Sequence, residues 1–293
     1  MHSRQIVDGH LVRELAVWGI RHLPRRIQYA SPIWAALGWT LSPRRATAVI
    51  DNLERLLCVP RRAARRSAFR LYRNYIETVR DSYAVQLGLE PPIDPGPSGR
   101  DRLARARAVG RGVILVSGHL GAWALGTVAM QHYGIGAPLV AMAEERDQRL
   151  HAAEEQRRGW QSVYTTRSPF AALELCHELR KGGMVAMQLD RDTGDRAIEL
   201  PFCGHPARFP LGPAILSRLT GAPILPVFLL HEGRGRFSVC VEEHLIADRT
   251  RHRDEDLLHT TERLVAIYES YVRAHPLQWF NFHPFWPTEE SPL

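Results

Sequence analysis

The chain has 293 residues, a length that suits one large domain or a domain with a helical annex. With 45% hydrophobic and 24% charged residues its composition is that of an ordinary globular protein, and it contains no low-complexity tract. The net charge of +7 favours an anionic partner, either nucleic acid or an acidic membrane surface, but no zinc finger, aromatic RNA-binding motif or long basic tail is present, so we expect no nucleic acid partner.

The N-terminal part, from residue 11 to about residue 90, is predicted to be helical. Ser42 and Pro43 suit the N-cap and the first residue of one helix, and a second helix is predicted over 60–87. The segment 91–97 contains four prolines and is interpreted as a linker. We therefore expect a helical annex ahead of the rest of the chain.

Within this annex, the apolar segment 31–41 carries Trp34 and Trp39 and is flanked by arginine pairs. This pattern suits a helix lying at a membrane interface, and it suits equally a helix buried against the domain. No apolar run reaches the roughly 18 residues that a membrane-spanning helix needs, and the first ten residues lack a signal-peptide pattern.

Beyond the linker, short β-branched runs alternate with helical patterns. Strands are predicted at 113–117, 138–142, 162–166, 184–189, 224–230 and 237–241, and helices at 99–109, 121–132, 145–158, 168–180, 210–219 and 254–275. Alternation of this kind predicts an α/β sheet with helices on both faces. We expect a single domain over 1–293, with the helical annex at 1–96 and the α/β core at 97–293.

His119 follows the buried strand 113–117 on a Ser-Gly-His turn. The carboxyl ends of strands are where open α/β sheets bind ligands. An imidazole there can take a proton from a bound hydroxyl or amine near neutral pH, although a histidine that only caps a helix or satisfies a loop carbonyl fits the same pattern. His119 is the first candidate catalytic residue.

Three acidic residues are candidates for orienting that histidine. Asp190 and Asp192 directly follow the strand 184–189, and a carboxylate beside His119 would fix its tautomer. Glu199 lies inside a short apolar run, where it faces either solvent or a site. The four cysteines form no Cys-x-x-Cys pair and no acidic or histidine spacing completes an Asp-x-Asp metal site, so we expect no metal and a reducing compartment.

Further polar residues are candidates for binding substrate. Arg208 precedes a predicted helix start, and both features bind anions well. Near the C-terminus, Asn281 and His283 lie in an aromatic stretch that suits the wall of an apolar cleft or a tail docked on the core. Trp123 and Arg191, each close in sequence to a candidate catalytic residue, complete the set.

Three motifs in order resemble the lysophospholipid acyltransferase superfamily, in its lipid A late acyltransferase and phosphatidylinositol mannoside acyltransferase branch. The first is His119-Leu120-Gly121-Ala122-Trp123-Ala124-Leu125, the second joins Asp190-Arg191-Asp192, Pro201-Phe202-Cys203-Gly204 and Pro210-Leu211-Gly212-Pro213-Ala214, and the third is Gln278-Trp279-Phe280. They cover roughly residues 40 to 287. The resemblance implies a glycerol-3-phosphate-acyltransferase-like fold, with His119 as the general base.

The chain departs from the family pattern at two positions. The acid that the family places five residues after the histidine is Ala124 here, and the usual asparagine is Ala122. Another carboxylate then serves, with Glu199 first and Asp190 or Asp192 next, because in the mycobacterial branch a glutamate from the equivalent extended segment pairs with the histidine. Otherwise the protein is an impaired, lipid-binding relative, or the two alanines are engineered.

The resemblance implies acyl transfer from acyl carrier protein or acyl-CoA to a hydroxyl of a lipid or glycolipid. It implies no metal or redox cofactor, and the acyl thioester is a co-substrate. Arg191 and Arg208 would hold phosphate, and the basic surface with Trp34 and Trp39 would dock the protein peripherally on an anionic membrane, at the cytoplasmic face of the inner membrane. The rival functions are a thioesterase and a catalytically impaired lipid-binding protein.

Overall fold

A computed structural model describes residues 18–89, 93, 96–126, 139–143, 161–164, 171–191 and 196–286. Within these described residues, the N-terminal annex is helical, as predicted. After a helical stretch at 18–22 come α1 (Arg25–Gln28), α2 (Ser31–Leu41), α3 (Pro43–Leu57) and α4 (Arg61–Gln86). None of the helices within the described ranges combines the length and the apolar character that a membrane span requires.

The rest of the chain alternates strands and helices. The order is α5 (Gly96–Ala108), β1 (Val113–Ser117), β2 (Leu139–Ala143), β3 (Gln161–Tyr164), α6 (Ala171–Arg180), β4 (Met184–Gln188), β5 (Ala197–Phe202), β6 (His205–Pro210), α7 (Gly212–Thr220), β7 (Ile224–Gly233), β8 (Arg236–Val241) and α8 (Arg253–Ala274). A 3₁₀ turn at Pro276–Gln278 leads into the C-terminal tail.

Six strands form one sheet in the order β3-β2-β4-β1-β7-β8. All neighbours are parallel except β7 and β8, which form an antiparallel hairpin. Strands β5 and β6 pair separately as an antiparallel ribbon. The predicted strands are therefore present, and β1 lies near the middle of the sheet between β4 and β7, where its carboxyl end is flanked by two other strand ends.

Side chains alternate between two apolar faces of the sheet. Ile114 and Val116 of β1 belong to one buried cluster with residues of α3, α4, α6, α7 and α8, whereas Val113 and Leu115 belong to another with Leu103 of α5. Because both faces are covered, the strands read as continuous apolar runs rather than as alternating ones. The mixed α/β class with helices on both faces is confirmed, while the glycerol-3-phosphate-acyltransferase-like arrangement stays a prediction.

Some predicted elements differ in extent or lie elsewhere. The helix expected at 121–132 opens with a 3₁₀ turn at Trp123–Leu125, and its remainder from 127 onward lies outside the described residues. The helix expected at 145–158 also lies outside them. The ribbon of β5 and β6 was expected only as an extended segment, because Pro201, Pro206 and Pro210 weaken the strand signal, although exposed and buried side chains alternate along both strands.

A buried polar cluster fixes the annex to the sheet. Asp81 of α4 is fully buried and accepts a 2.7 Å hydrogen bond from Nε2 of His231 in β7, and a 2.6 Å bond from the backbone N–H of Gly235. Its other oxygen contacts the Arg80 guanidinium and accepts a hydrogen bond from the hydroxyl of Tyr29. Burial alone would raise the pKa of Asp81, but these donors lower it, so the carboxylate is charged and holds α4 against β7.

Candidate active site

Strand register brings His119 and Asp190 together. Ser117, the last residue of β1, is paired with Gln188, the last residue of β4, and the two strands run in parallel. His119 and Asp190 each lie two residues beyond these paired positions. Leu189 continues the ladder by donating its N–H to the carbonyl of Ser117. Both side chains therefore emerge at the same edge of the sheet, at its carboxyl end.

Asp190 holds His119 with both carboxylate oxygens. Oδ1 of Asp190 lies 2.8 Å from Nδ1 of the His119 ring, and Oδ2 accepts a 2.8 Å hydrogen bond from the His119 backbone N–H. The two residues are only 4% and 2% exposed. A bidentate contact to ring and backbone fixes both the position of the histidine and the rotation of its imidazole.

Two more groups converge on the same carboxylate from the C-terminal part of the chain. The hydroxyl of Tyr268 in α8 donates a 2.6 Å hydrogen bond to Oδ2 of Asp190, and Nε1 of Trp279 lies 3.4 Å from that oxygen. Both side chains are 1% exposed. Asp190 is thus a buried anion surrounded by donors.

These contacts determine the protonation pattern of the pair. Burial by itself would raise the pKa of Asp190, but the charge of His119 and the hydrogen bonds from His119 and Tyr268 outweigh it and lower this pKa below the usual value for aspartate. Burial and the neighbouring Asp190 charge raise the pKa of Tyr268 well above its ordinary value, so its hydroxyl stays a donor. Since an ionised carboxylate only accepts, Nδ1 of His119 carries a proton, and in the neutral ring Nε2 is the free base.

The C-terminal tail is hydrogen-bonded to the turn that contains His119, here called the histidine turn (residues 118–121). Phe280 donates its N–H to the carbonyl of His119 at 2.7 Å, and Gly121 donates its N–H to the carbonyl of Gln278 at 2.9 Å. The side chain of Gln278 also bonds both backbone groups of His231. The tail is therefore bonded both to the histidine turn and to β7.

Glycines are required where the turn meets its neighbours. A Cβ on Gly118 would lie 2.4 Å from the hydroxyl oxygen of Tyr268, and a Cβ on Gly121 would lie 2.0 Å from the carbonyl oxygen of Leu229. Gly121 also has a φ of +62°, which L side chains rarely adopt. The close approach of Tyr268 to Asp190 thus depends on the missing side chain at position 118.

Among the described residues, Trp123 is the predicted substrate-binding residue whose ring contacts the ring of His119. The two ring centroids are 5.0 Å apart in an edge-on arrangement, and the tryptophan is 36% exposed. A partly exposed indole ring beside a buried imidazole can form part of a surface that binds an apolar ligand.

Of the three acids ranked from the sequence, Asp190 is the one at Nδ1 of His119. Glu199 is exposed on β5, where its register partner across the ribbon is Arg208, also exposed. Asp192 lies outside the described residues. The ranking that put Glu199 first is therefore revised in favour of Asp190. Alternation along the chain did not decide which way Glu199 faced, and in the ribbon it faces solvent.

The remaining candidates are Arg191 and the tail residues Asn281 and His283. Arg191 follows Asp190 and is half-buried. The backbone carbonyls of Asn281 and His283 accept hydrogen bonds from the buried side chain of Asn52 in α3. These tail residues therefore dock the tail on the annex through their backbone. The side-chain amide of Asn281 is buried and has no hydrogen-bond partner within the part of the chain that is described.

Sequence reasoning missed Tyr268 as a site residue and treated Trp279 only as a motif member. The available signal was the helical spacing of Leu264, Tyr268 and Val272, which places the tyrosine on the buried face of α8. A buried tyrosine hydroxyl needs a partner, and a buried aspartate is a strong acceptor.

Residues 10–288 match the family of bacterial lipid A biosynthesis acyltransferases, and the chain belongs to this family. The resemblance expected from the three motifs is confirmed.

The chain is also similar to curated relatives from mycobacteria. It is 31% identical over 206 residues to the phosphatidylinositol mannoside acyltransferase of Mycobacterium tuberculosis (strain CDC 1551 / Oshkosh), a match that covers 68% of this chain and 62% of that protein. It is 27% identical over 216 residues to the protein of the same name from Mycolicibacterium smegmatis, covering 69% and 67%. The chain therefore matches less than two thirds of the length of the first relative.

Proposed function

We propose that the protein transfers a fatty acyl group from a thioester to a hydroxyl of a lipid or glycolipid, with His119 as general base. The observation that carries this proposal is the bond between Nδ1 of His119 and Oδ1 of Asp190, at 2.8 Å in a buried site. It orients the imidazole and leaves Nε2 as the basic nitrogen, which is the arrangement that activates a hydroxyl.

The proton and the electron pairs follow a short path. Nε2 of His119 takes the proton of the acceptor hydroxyl while the acceptor oxygen attacks the thioester carbonyl carbon. The resulting tetrahedral intermediate breaks its carbon–sulfur bond, and the thiolate leaves with the proton returned by the imidazolium. The ionised Asp190 stabilises that imidazolium throughout. No acyl-enzyme forms and no metal or redox cofactor takes part.

Asp190 could also replace the acid that is missing at position 124. The family motif expects an acid there, but the residue is alanine. In this proposal Asp190 acts as the orienting acid, supported by its two contacts with His119 and its donors Tyr268 and Trp279. The alternative of an impaired, lipid-binding protein is therefore less well supported than an active enzyme.

The substrates follow from the family and its relatives. The acceptor is a hydroxyl on a lipid or glycolipid, because the relatives are named for a mannosylated phosphoinositide. The donor is an acyl thioester carried by acyl carrier protein or coenzyme A. Trp123 beside His119 would contact the apolar part of a bound substrate, and Arg191 and Arg208 would bind phosphate.

We place the protein peripherally at the cytoplasmic face of the inner membrane. The support is the net charge of +7 together with apolar side chains that α2 leaves exposed, among them Trp34. A lipid acceptor and a water-soluble donor would meet at such a surface.

The test is turnover with purified protein. Palmitoyl-CoA and palmitoyl acyl carrier protein are each incubated with a total lipid extract of the source cells, and products are followed by mass spectrometry. The wild type and a control His252→Ala, which changes an exposed histidine, are expected to form an acylated lipid that His119→Ala does not form. Free fatty acid without an acylated lipid would identify a thioesterase instead. Bound lipid without any turnover would identify a binding protein.

A further inference from the structure

A groove of about 990 Å³ lies along the junction of α2 and α4 in the annex. Five arginines of α4 line it, at positions 62, 65, 66, 70 and 73, and Ala36, Trp39 and Thr40 form the α2 side. Trp39 of α2 lies in the groove, with its ring 6.1 Å from the Phe69 ring and 6.0 Å from the Arg65 guanidinium carbon. This groove is built from the annex alone and contains none of the residues assigned to the acyl transfer site.

The charge of the groove is uncompensated. Within the described ranges none of the five arginines has a carboxylate partner, whereas the neighbouring Arg61 bonds to both Asp51 and Glu54. The Nε atom of Arg73 is buried, and those same ranges provide no hydrogen-bond acceptor for it. Five positive groups along three turns of helix repel one another. An anionic ligand bound between them would reduce this electrostatic repulsion.

The face of α2 beside the groove is apolar and exposed. Ile33, Leu37 and Leu41 follow one another at intervals of four residues and are 68%, 47% and 65% exposed. Trp34 lies beside them, and α2 contains no charged residue. A row of exposed apolar side chains on one helix face is typical of a surface that binds a partner.

The two features together favour a membrane over an acidic protein as the partner. At a bilayer surface, phosphate groups lie directly above acyl chains, so one layer can accept the arginines while the next accepts the apolar stripe and Trp34. An acidic protein surface would complement the charge of the arginines but would provide no apolar environment for Ile33 and Leu41. A nucleic acid would match the stripe even less.

We propose that the groove between α2 and α4 is a binding site for the phosphate headgroups of acidic phospholipids, held by the arginines of α4 while the apolar stripe of α2 enters the acyl layer. The inference rests on the peripheral membrane location proposed above and adds the lipid class and the residues that recognise it. It is independent of acyl transfer, so its test requires no turnover.

The test is co-flotation of the full chain with vesicles of phosphatidylcholine, either alone or with about 30% phosphatidylglycerol. The variant Arg62→Gln/Arg66→Gln/Arg70→Gln removes three charges from the groove. The control Arg107→Gln/Arg253→Gln/Arg263→Gln removes three exposed charges elsewhere. Because a basic residue near an acidic surface contributes roughly a factor of five to ten, the groove variant should partition about 100-fold less onto acidic vesicles, and the control should lose much less than that.

Each contrary outcome has its own meaning. If the two triple variants lose vesicle binding equally, net charge alone explains the binding and the proposed headgroup site is wrong. Equal binding of the wild type to neutral and acidic vesicles would leave the membrane location intact and overturn the headgroup site, and binding to neither would overturn both. If the groove variant keeps its vesicle binding and loses affinity for purified acyl carrier protein, the groove is a protein docking site and the inference is wrong.

Discussion

The hydroxyl of Tyr268 lies 2.6 Å from Oδ2 of Asp190, and Oδ1 of the same carboxylate lies 2.8 Å from Nδ1 of His119. The tyrosine therefore acts on the histidine through the aspartate. Since the carboxylate is buried and accepts from several donors, it is held as an anion before any substrate arrives. In the proposed mechanism this arrangement supports His119 as general base, because the imidazolium formed during proton transfer would meet a charge that is already in place.

Asp190→Asn is expected to lower kcat for acyl transfer by about 10²- to 10⁴-fold, because an amide no longer stabilises the imidazolium and favours the wrong tautomer. The measurement is steady-state turnover with a palmitoyl thioester. Glu199→Gln is the matched control, since it also neutralises one acid but at an exposed site, and it should change kcat by less than about threefold. The opposite ranking of the two variants would restore Glu199 as the orienting acid.

Tyr268→Phe is expected to destabilise the fold by about 1.5–3 kcal/mol at pH 7, the usual contribution of a hydrogen bond to a charged group. The pKa of Asp190 is lowered in the native protein, so its stabilisation is complete above the ordinary aspartate pKa and is lost as the pH falls through the lowered value. Loss of a donor raises that folded pKa, and the acid loss of stability should begin at a higher pH.

Urea denaturation at a series of pH values measures both effects. Tyr271→Phe, three residues along the same helix, removes a hydroxyl that bonds Glu242 rather than Asp190. This control should leave the acid limb of the stability profile where it is in the wild type. An equal shift in both variants would show that the acid limb does not depend on the hydrogen bond between Tyr268 and Asp190.

Gly121→Ala should destabilise the protein by more than about 2 kcal/mol, since the new Cβ meets the Leu229 carbonyl at a positive φ. Gly126→Ala provides the comparison, because Gly126 has an ordinary helical φ of −53° and, apart from its own helix and chain neighbours, no atom of the described residues lies within 4 Å of the position that its Cβ would take. Thermal unfolding of the two variants should differ by several degrees. Equal melting temperatures would mean that the turn after His119 tolerates a backbone shift.

Asp81→Asn is expected to destabilise the fold by about 3–5 kcal/mol, because it leaves the Arg80 guanidinium buried beside a neutral group. Asp51→Asn breaks an exposed pair with Arg61 and should cost no more than about 1 kcal/mol. Chemical denaturation of both variants checks the contrast. A small effect at Asp81 would indicate that the annex is held to β7 by apolar packing alone.

The chain order of strands and helices was predictable because both faces of the sheet are buried, which gives β1, β4 and β7 their continuous apolar runs. His119 was predictable for the same reason, since it directly follows such a run. The choice of Asp190 over Glu199 was not predictable. It depends on the register of β1 against β4, which cannot be read from the sequence of either strand alone. Tyr268 and Trp279 lie 78 and 89 residues beyond Asp190, at separations where local patterns carry no information.

The contacts of the tail also fix when the site can form. His119 and Asp190 are synthesised 71 residues apart, but the groups that hold them come from α8 and from the segment that bonds the histidine turn. A nascent chain stopped before Tyr268 contains both His119 and Asp190 but lacks Tyr268 and Trp279, the two groups from the C-terminal part of the chain that contact Asp190. If the proposed acyl transfer is correct, this activity therefore requires that residues 268–280 have left the ribosome and docked, and chains that end earlier would be inactive towards thioesters.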